Sequence, residues 1–258
     1  TRIGLGCDTE TLDDALSLAR GAHADLIIGM GGEKVMSLAR LIAAASSREL
    51  YAGDILNDGY VDTPGLPVLE IPSSGRHSLM CRNEAHLIDR VSGNSALIQL
   101  SAFPACTVIM DESLPRFMPS GASAMSAASL LAASIEAYLS PRANFLSDIL
   151  ALNAVERNCA LLRDVKKLFS DPEYRVRETE AAIVTASSTG MTESGPGMIL
   201  SLALKGSTGV PKASAYTILL PWILESALHS GSPKLQNLAR ILSPPEDSPG
   251  EAPAKAIR

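Results

Sequence analysis

Apolar and polar residues follow two different periods along this chain. In the first half the apolar runs are short and end at glycine, proline or acidic residues, as strands do. Ala24 to Gly29 predicts a buried strand, Pro67 to Pro72 a second, and Cys106 to Met110 a third. A helix is predicted before the first strand, with Thr9 or Thr11 as cap and Leu12, Ala15, Leu16 and Leu18 as its apolar face. Gly31-Gly32 then turns into a second helix, Val35 to Ala45. Strand, glycine turn and helix in that order form a phosphate-binding layout. Residues 50–66 predict a polar loop and residues 73–80 a turn. Spaced strands with helices between them indicate a mostly parallel sheet.

From Pro119 onward helical periodicity takes over. Helices are predicted near 123–138, 146–163, 177–190, 197–205, 213–229 and 233–242, with no strand between them. The stretch Pro119 to Tyr138 carries no charge before Glu136 and is built mainly from Ala, Ser and Leu. Such small residues suit a buried helix that its neighbours approach closely. Pro119 and Gly121 mark its start, with Ser123 as N-cap. Its length raises a membrane-spanning reading. Five serines and the lack of a basic flank favour a core helix instead. The composition shift at Pro115–Pro119 divides the chain into domains 1–117 and 118–258. The predicted fold is α/β: a Rossmann-like parallel domain, then an all-α domain, with a cleft between them.

The segment SIEAYLSPRANFLSDILALNAV, Ser134 to Val155, resembles the central helix pair of the iron-containing alcohol dehydrogenase superfamily. That superfamily includes the maleylacetate reductases and the dehydroquinate synthase-like enzymes. ADLIIGMGGEKVMSLARLIAAA resembles its glycine-loop helix, PVLEIPSSGRHS its second nucleotide loop, and VPKASAYTILLPWILES its metal-site helix. The maleylacetate reductase branch is the nearest likeness, because Ala213 follows the ligand position where most alcohol dehydrogenases have Gly. Members usually carry a further unit before the position of Thr1 and more helices after that of Arg258, so a trimmed form is expected.

The resemblance implies four metal-ligand positions, and they fall on Ser129, Ala133, Met198 and Lys212. Alanine has no donor atom, a neutral serine is a poor one, and a lysine ammonium repels a cation. It also implies a Gly-Gly-Gly-Ser phosphate loop, which here reads Gly31-Gly32-Glu33-Lys34. Glu33 puts a carboxylate where phosphates would sit, and a helix N-terminus favours that carboxylate. Lys34 offsets it or reaches a phosphate. In the second loop Ser73-Ser74-Gly75 is followed by Arg76 and His77, two large side chains in place of small ones.

The expectation is therefore a metal-free, cofactor-independent enzyme doing non-redox chemistry on a hydrophobic small molecule: cyclisation, isomerisation, dehydration or decarboxylation. Lys212, His77 and Arg76 are its candidate catalytic residues. Ser129, Ala133, Met198, Leu202, Ser214, Tyr216 and Trp222 are its candidate substrate walls. The alternative is an oxidoreductase using NADH or NADPH, bound through Gly31, Gly32, Lys34, Ser73 and Ser74. A second alternative is a non-catalytic binding protein.

Composition narrows the partners. The 258 residues carry 46% hydrophobic and 19% charged positions, which fits a globular chain. A net charge of −6 and 4% aromatics argue against nucleic acid or an anionic membrane as partner. A small-molecule substrate, a cytoplasmic location and a homodimer are expected. Cys7, Cys81, Cys106 and Cys159 are scattered without ligand spacing and read as free thiols. His23, His86 and His229 read as surface or packing residues.

Overall fold

The computed structural model describes residues 6–62, 65–73, 79–80, 82–100, 106–111, 113–114, 119–163, 166–167 and 171–243. Asp8 opens the first helix, α1 (Thr9–Gly21), by accepting the Thr11 N–H at 2.9 Å. Asp8 is extended and stands just before the helix, so it takes the capping role expected of Thr9 or Thr11. Leu12, Ala15 and Leu16 are buried. Leu18, two positions past Leu16, falls off that stripe and is exposed.

Strands β1 (Ile27–Gly31), β3 (Val68–Pro72) and β6 (Cys106–Val108) form a parallel sheet in the order β1-β3-β6, with Ile27 opposite Val68 and Val68 opposite Cys106. The glycine turn leads into α2 (Glu33–Ala45). This helix lies on bare strand backbone: a Cβ on Gly29 would come within 2.8 Å of Ala39.

A second sheet, in the order β2-β5-β4, has no counterpart in the predicted elements. It holds β2 (Tyr60–Val61), β4 (Glu84–Ile88) and β5 (Ser95–Leu100), and β4 runs antiparallel to β5. A short helix, α3 (Ala52–Asp58), replaces the predicted polar loop. Buried polar residues hide the period of β4. Glu84 pairs with Arg82 at 2.7 Å, and His86 Nε2 meets the Ser95 hydroxyl at 2.7 Å. The sheet's position is fixed from beneath by Arg40, 1% exposed, on α2. Its guanidinium donates to both Glu70 oxygens at 2.6 and 2.8 Å and to the Leu79 and Arg82 carbonyls at 2.7 and 3.0 Å. Removing one member of so buried a pair costs about 3–5 kcal/mol.

The second half is helical: α4 (Ser120–Leu139), α5 (Phe145–Arg163), α6 (Pro172–Gly190), α7 (Pro196–Thr208), α8 (Lys212–His229) and α9 (Leu235–Leu242). Helix α4 packs against α5, α6 and α8. Ala127, Ala132 and Ile135 on it are fully buried. Gly121–Leu139 is long and apolar enough to cross a membrane, but 72% of that window lies inside the fold. Pro119 is the N-cap, so Ser123 falls inside the helix and its hydroxyl donates to the buried Glu178 carboxylate. The two lobes are joined by polar bonds. Arg82 donates to the Thr192 carbonyl at 3.3 Å and Ser194 donates to Glu84 at 2.9 Å.

Candidate functional site

The N-terminus of α2 faces α4, α7 and α8 across a cleft of about 560 Å³. That volume suits a small-molecule site. Gly32, Glu33 and Lys34 form one wall, and Ser126, Ser129, Lys205 and Lys212 come from the other lobe. Gly31 makes the turn tight, since a Cβ there would lie 2.8 Å from the Val35 side chain. Gly32 is the N-cap of α2 and supplies no side-chain cap. Among the described residues, nothing beyond its chain neighbours lies within 4 Å of where its Cβ would be, and Gly32 borders the cleft. First-turn N–H groups of a helix have no intrahelical acceptors and carry partial positive charge. The Ser73 N–H donates to the Gly31 carbonyl at 2.9 Å, which sets the second loop beside the first.

Lys212 is the first residue of α8, after the cap Pro211, and is 9% exposed. Its ammonium donates to the Glu33 carboxylate across the cleft. Lys205 sits in the last turn of α7. Burial is the main cause holding its ammonium below the ordinary lysine range; Glu33 opposes this and the Lys212 and Lys34 cations reinforce it. Ser126, one turn before Ser129 on α4, is 1% exposed, and its Oγ has no partner among the described residues. Among the described residues the cleft thus presents three lysines and one carboxylate, in a chain of net charge −6.

Beneath the second sheet's edge, the Cys7 thiol donates to the His86 carbonyl at 2.8 Å, and burial pushes that thiol up to about 12. Burial likewise drives the His86 imidazole down to about 3. Neither is poised for nucleophilic or acid–base work near neutral pH.

Lys212, Ser129, Gly32 and Lys34 line the cleft, and Gly31 and Ser73 shape its loops. Arg76, His77 and Ser74 lie outside the described residues. Ala133, Met198 and Leu202 belong to the core of the helical lobe and not to the described lining, because their apolar side chains pack with Ile135 and Leu220. Ser214 is half-buried on α8 and also stands outside the described lining. Tyr216 is turned inward, where its hydroxyl donates to Glu136 at 2.5 Å. Trp222 is 67% exposed and stands outside the described lining. Ser126 and Lys205 were not among the predicted site residues. Ser126 shares the Ser129 face at i, i+3 spacing, a signal the sequence carries. The predicted helix 197–205 ends at Lys205, whereas α7 runs on to Thr208.

Glu136 explains a separate hollow of about 420 Å³ in the helical lobe, which it lines with Ser194 and Ile223. Its carboxylate accepts the Gly197 and Met198 N–H groups at 2.7 and 3.1 Å, capping α7, besides the Tyr216 hydroxyl. Burial still raises its pKa above the ordinary glutamate value, against the lowering effect of these bonds.

Residues 123–258 match the C-terminal model of the Fe-containing alcohol dehydrogenase family. The chain belongs to that family. It is 30% identical over 219 residues to maleylacetate reductase 1 of Rhodococcus opacus, covering 83% of this chain and 54% of that protein. It thus spans about half the length of this relative. An iron-containing alcohol dehydrogenase from Thermotoga maritima superposes with a TM-score of 0.85 at 21% identity, covering 99% of this chain and 68% of the other. Sulfoacetaldehyde reductase from Bifidobacterium kashiwanohense, solved in complex with NAD+, gives 0.82 at 19% identity, covering all of this chain and 68% of the other. These findings correct the expectation of a cofactor-independent, non-redox catalyst. The relatives are reductases and dehydrogenases by name, and a neighbour of the same fold holds a dinucleotide.

The family description implies iron, and the residues present do not fit it. Among the described residues no three His, Cys, Asp or Glu side chains are grouped to hold a metal. An ammonium, Lys212, stands in the cleft and Met198 lies in the core. A dinucleotide fits better. The helix N-terminus is capped by Gly32, which has no side chain to occupy it, no described atom beyond the chain neighbours lies within 4 Å of where a Cβ would be, and Lys34 is beside it to balance Glu33.

Proposed function

We propose that this chain forms the cleft of an oxidoreductase that transfers a hydride between NADH or NADPH and a carbonyl compound or the corresponding alcohol. The observation that carries this reading is the glycine-capped N-terminus of α2 opening on the cleft. Family membership supports it. The pyrophosphate would lie on the first-turn N–H groups of α2, with Lys34 as counter-charge and Ser73 on the second loop. The bound dinucleotide supplies the hydride.

The chain's own residues do the rest. Lys212 places a cation where a carbonyl oxygen gains negative charge as it is reduced. Its position at the start of α8 is held by the Glu33 carboxylate. The Ser129 hydroxyl, on the same cleft, orients the oxygen. A cationic Lys212 gives its proton to the developing alkoxide and takes one back in the reverse direction.

The test is a titration of the full chain with NADH and NADPH, followed by dihydronicotinamide fluorescence, then a panel of carbonyl compounds followed by loss of dihydronicotinamide absorbance. Saturable binding between about 1 μM and 1 mM is expected. No binding of either cofactor at the upper limit overturns the reading.

A further inference from the structure

We infer that Lys205 and the Ser126 hydroxyl hold a carboxylate on the substrate, so that the cleft selects carbonyl compounds with an acid end over neutral ones of equal length. The inference rests on the oxidoreductase reading of the same cleft and names its substrate class.

The three cleft lysines have different assignments. Lys212 is committed to Glu33, and Lys34 stands at the N-terminus of α2 where the cofactor phosphates belong. Lys205 remains, and it forms no ion pair among the described residues. The C-terminal end of α7 favours a cation there. That explains a lysine in solvent, but not a half-buried one that lines a cleft. A desolvated ammonium is costly, and the carboxylate that acts on it, Glu33, is already paired with Lys212.

Its position is also fixed. The next residue, Gly206, packs so tightly on the β4–β5 turn that a Cβ would lie 2.4 Å from the Gly93 carbonyl. Ser126 gives the second, independent sign. Its hydroxyl is buried at the cleft wall with no partner among the described residues. A buried hydroxyl is normally hydrogen-bonded. A carboxylate satisfies both groups at once: one oxygen accepts from Lys205, and an oxygen accepts from the Ser126 O–H.

The experiment compares two four-carbon aldehydes, succinic semialdehyde and butanal, as substrates of the full chain, together with succinate binding by calorimetry. The expected result is a kcat/KM for the acid at least tenfold above that for butanal. Lys205→Met should cut that ratio at least tenfold, mainly through KM for the acid, while Lys205→Arg retains most of it. Ser126→Ala, a smaller change, should cut the ratio about threefold, and it supplies the test if the methionine variant does not fold. Succinate should bind the wild type and weaken at least tenfold in Lys205→Met. Succinate binding that depends on Lys205 without any NADH or NADPH binding overturns the oxidoreductase reading and leaves the carboxylate site standing. Reduction of both aldehydes at equal efficiency, or equal losses on both in Lys205→Met, overturns the carboxylate site and leaves the oxidoreductase reading intact.

Discussion

Glu33 is where the cleft and the dinucleotide are most directly opposed. Its carboxylate stands at the N-terminus of α2, the place a pyrophosphate would take, and it is paired with Lys212. Glu33→Gln removes one negative charge and releases the Lys212 cation toward the cleft. Two like charges about 4 Å apart repel by about 4 kcal/mol at an effective dielectric of about 20. The cleft is open to water and the Glu33 charge is already balanced, so about 1–2 kcal/mol of that is realised, or about 5- to 30-fold in affinity. The substitution also breaks an ion pair whose side chains are 13% and 9% exposed. Because that pair borders solvent, the loss of folding stability is about 1–2 kcal/mol, below the figure for a fully buried pair. The assay is NADH binding by fluorescence in wild type and Glu33→Gln over a series of salt concentrations, with urea unfolding of both proteins. Tighter binding with lower stability is expected, and the affinity gain should shrink as salt rises. Unchanged or weaker NADH binding by Glu33→Gln refutes the placement of the phosphates at this helix end.

Two expectations concern pH and have opposite signs. His86 is buried and its pKa falls to about 3, so the unfolded chain takes up a proton that the folded chain refuses. Stability is therefore lost as pH falls from about 6.5 toward 3, at up to about 1.4 kcal/mol per unit. His86→Gln should flatten that limb in urea unfolding measured across the range; an unaltered slope contradicts the assignment. Glu136 has its pKa raised by burial, so its contribution is full below the ordinary glutamate value of 4.5 and fades as pH rises through the raised one. Glu136→Gln keeps one acceptor oxygen and loses a cap bond to α7, at about 1–2 kcal/mol near neutral pH. The wild type should gain further on this variant as pH drops toward 4.5. A gap that is constant with pH would mean that Glu136 titrates as an ordinary carboxylate.

Local pattern was enough for the helical lobe, the glycine turn, α2 and the presence of β1, though not for its predicted burial, since Ile28 and Met30 are exposed; each of these elements is written in neighbouring residues. Period, small-residue content and glycine placement are short-range properties. The family resemblance also marked the substitution at Glu33 and the lysine at position 212. The second sheet was not legible. Strand β4 hides its alternation behind Glu84 and His86, which are tolerated inside because Gln99 and Ser194 reach Glu84 and Ser95 reaches His86 from other elements, besides the neighbouring Arg82. The lining of the cleft depends on the same distant partners. Whether Met198 lines a cavity or packs in a core, whether Tyr216 faces Lys212 or Glu136, and that Lys212 meets Glu33 across 179 positions, depend on how whole helices are rotated against one another. That rotation is set by the summed packing of both lobes, which no short window of residues contains.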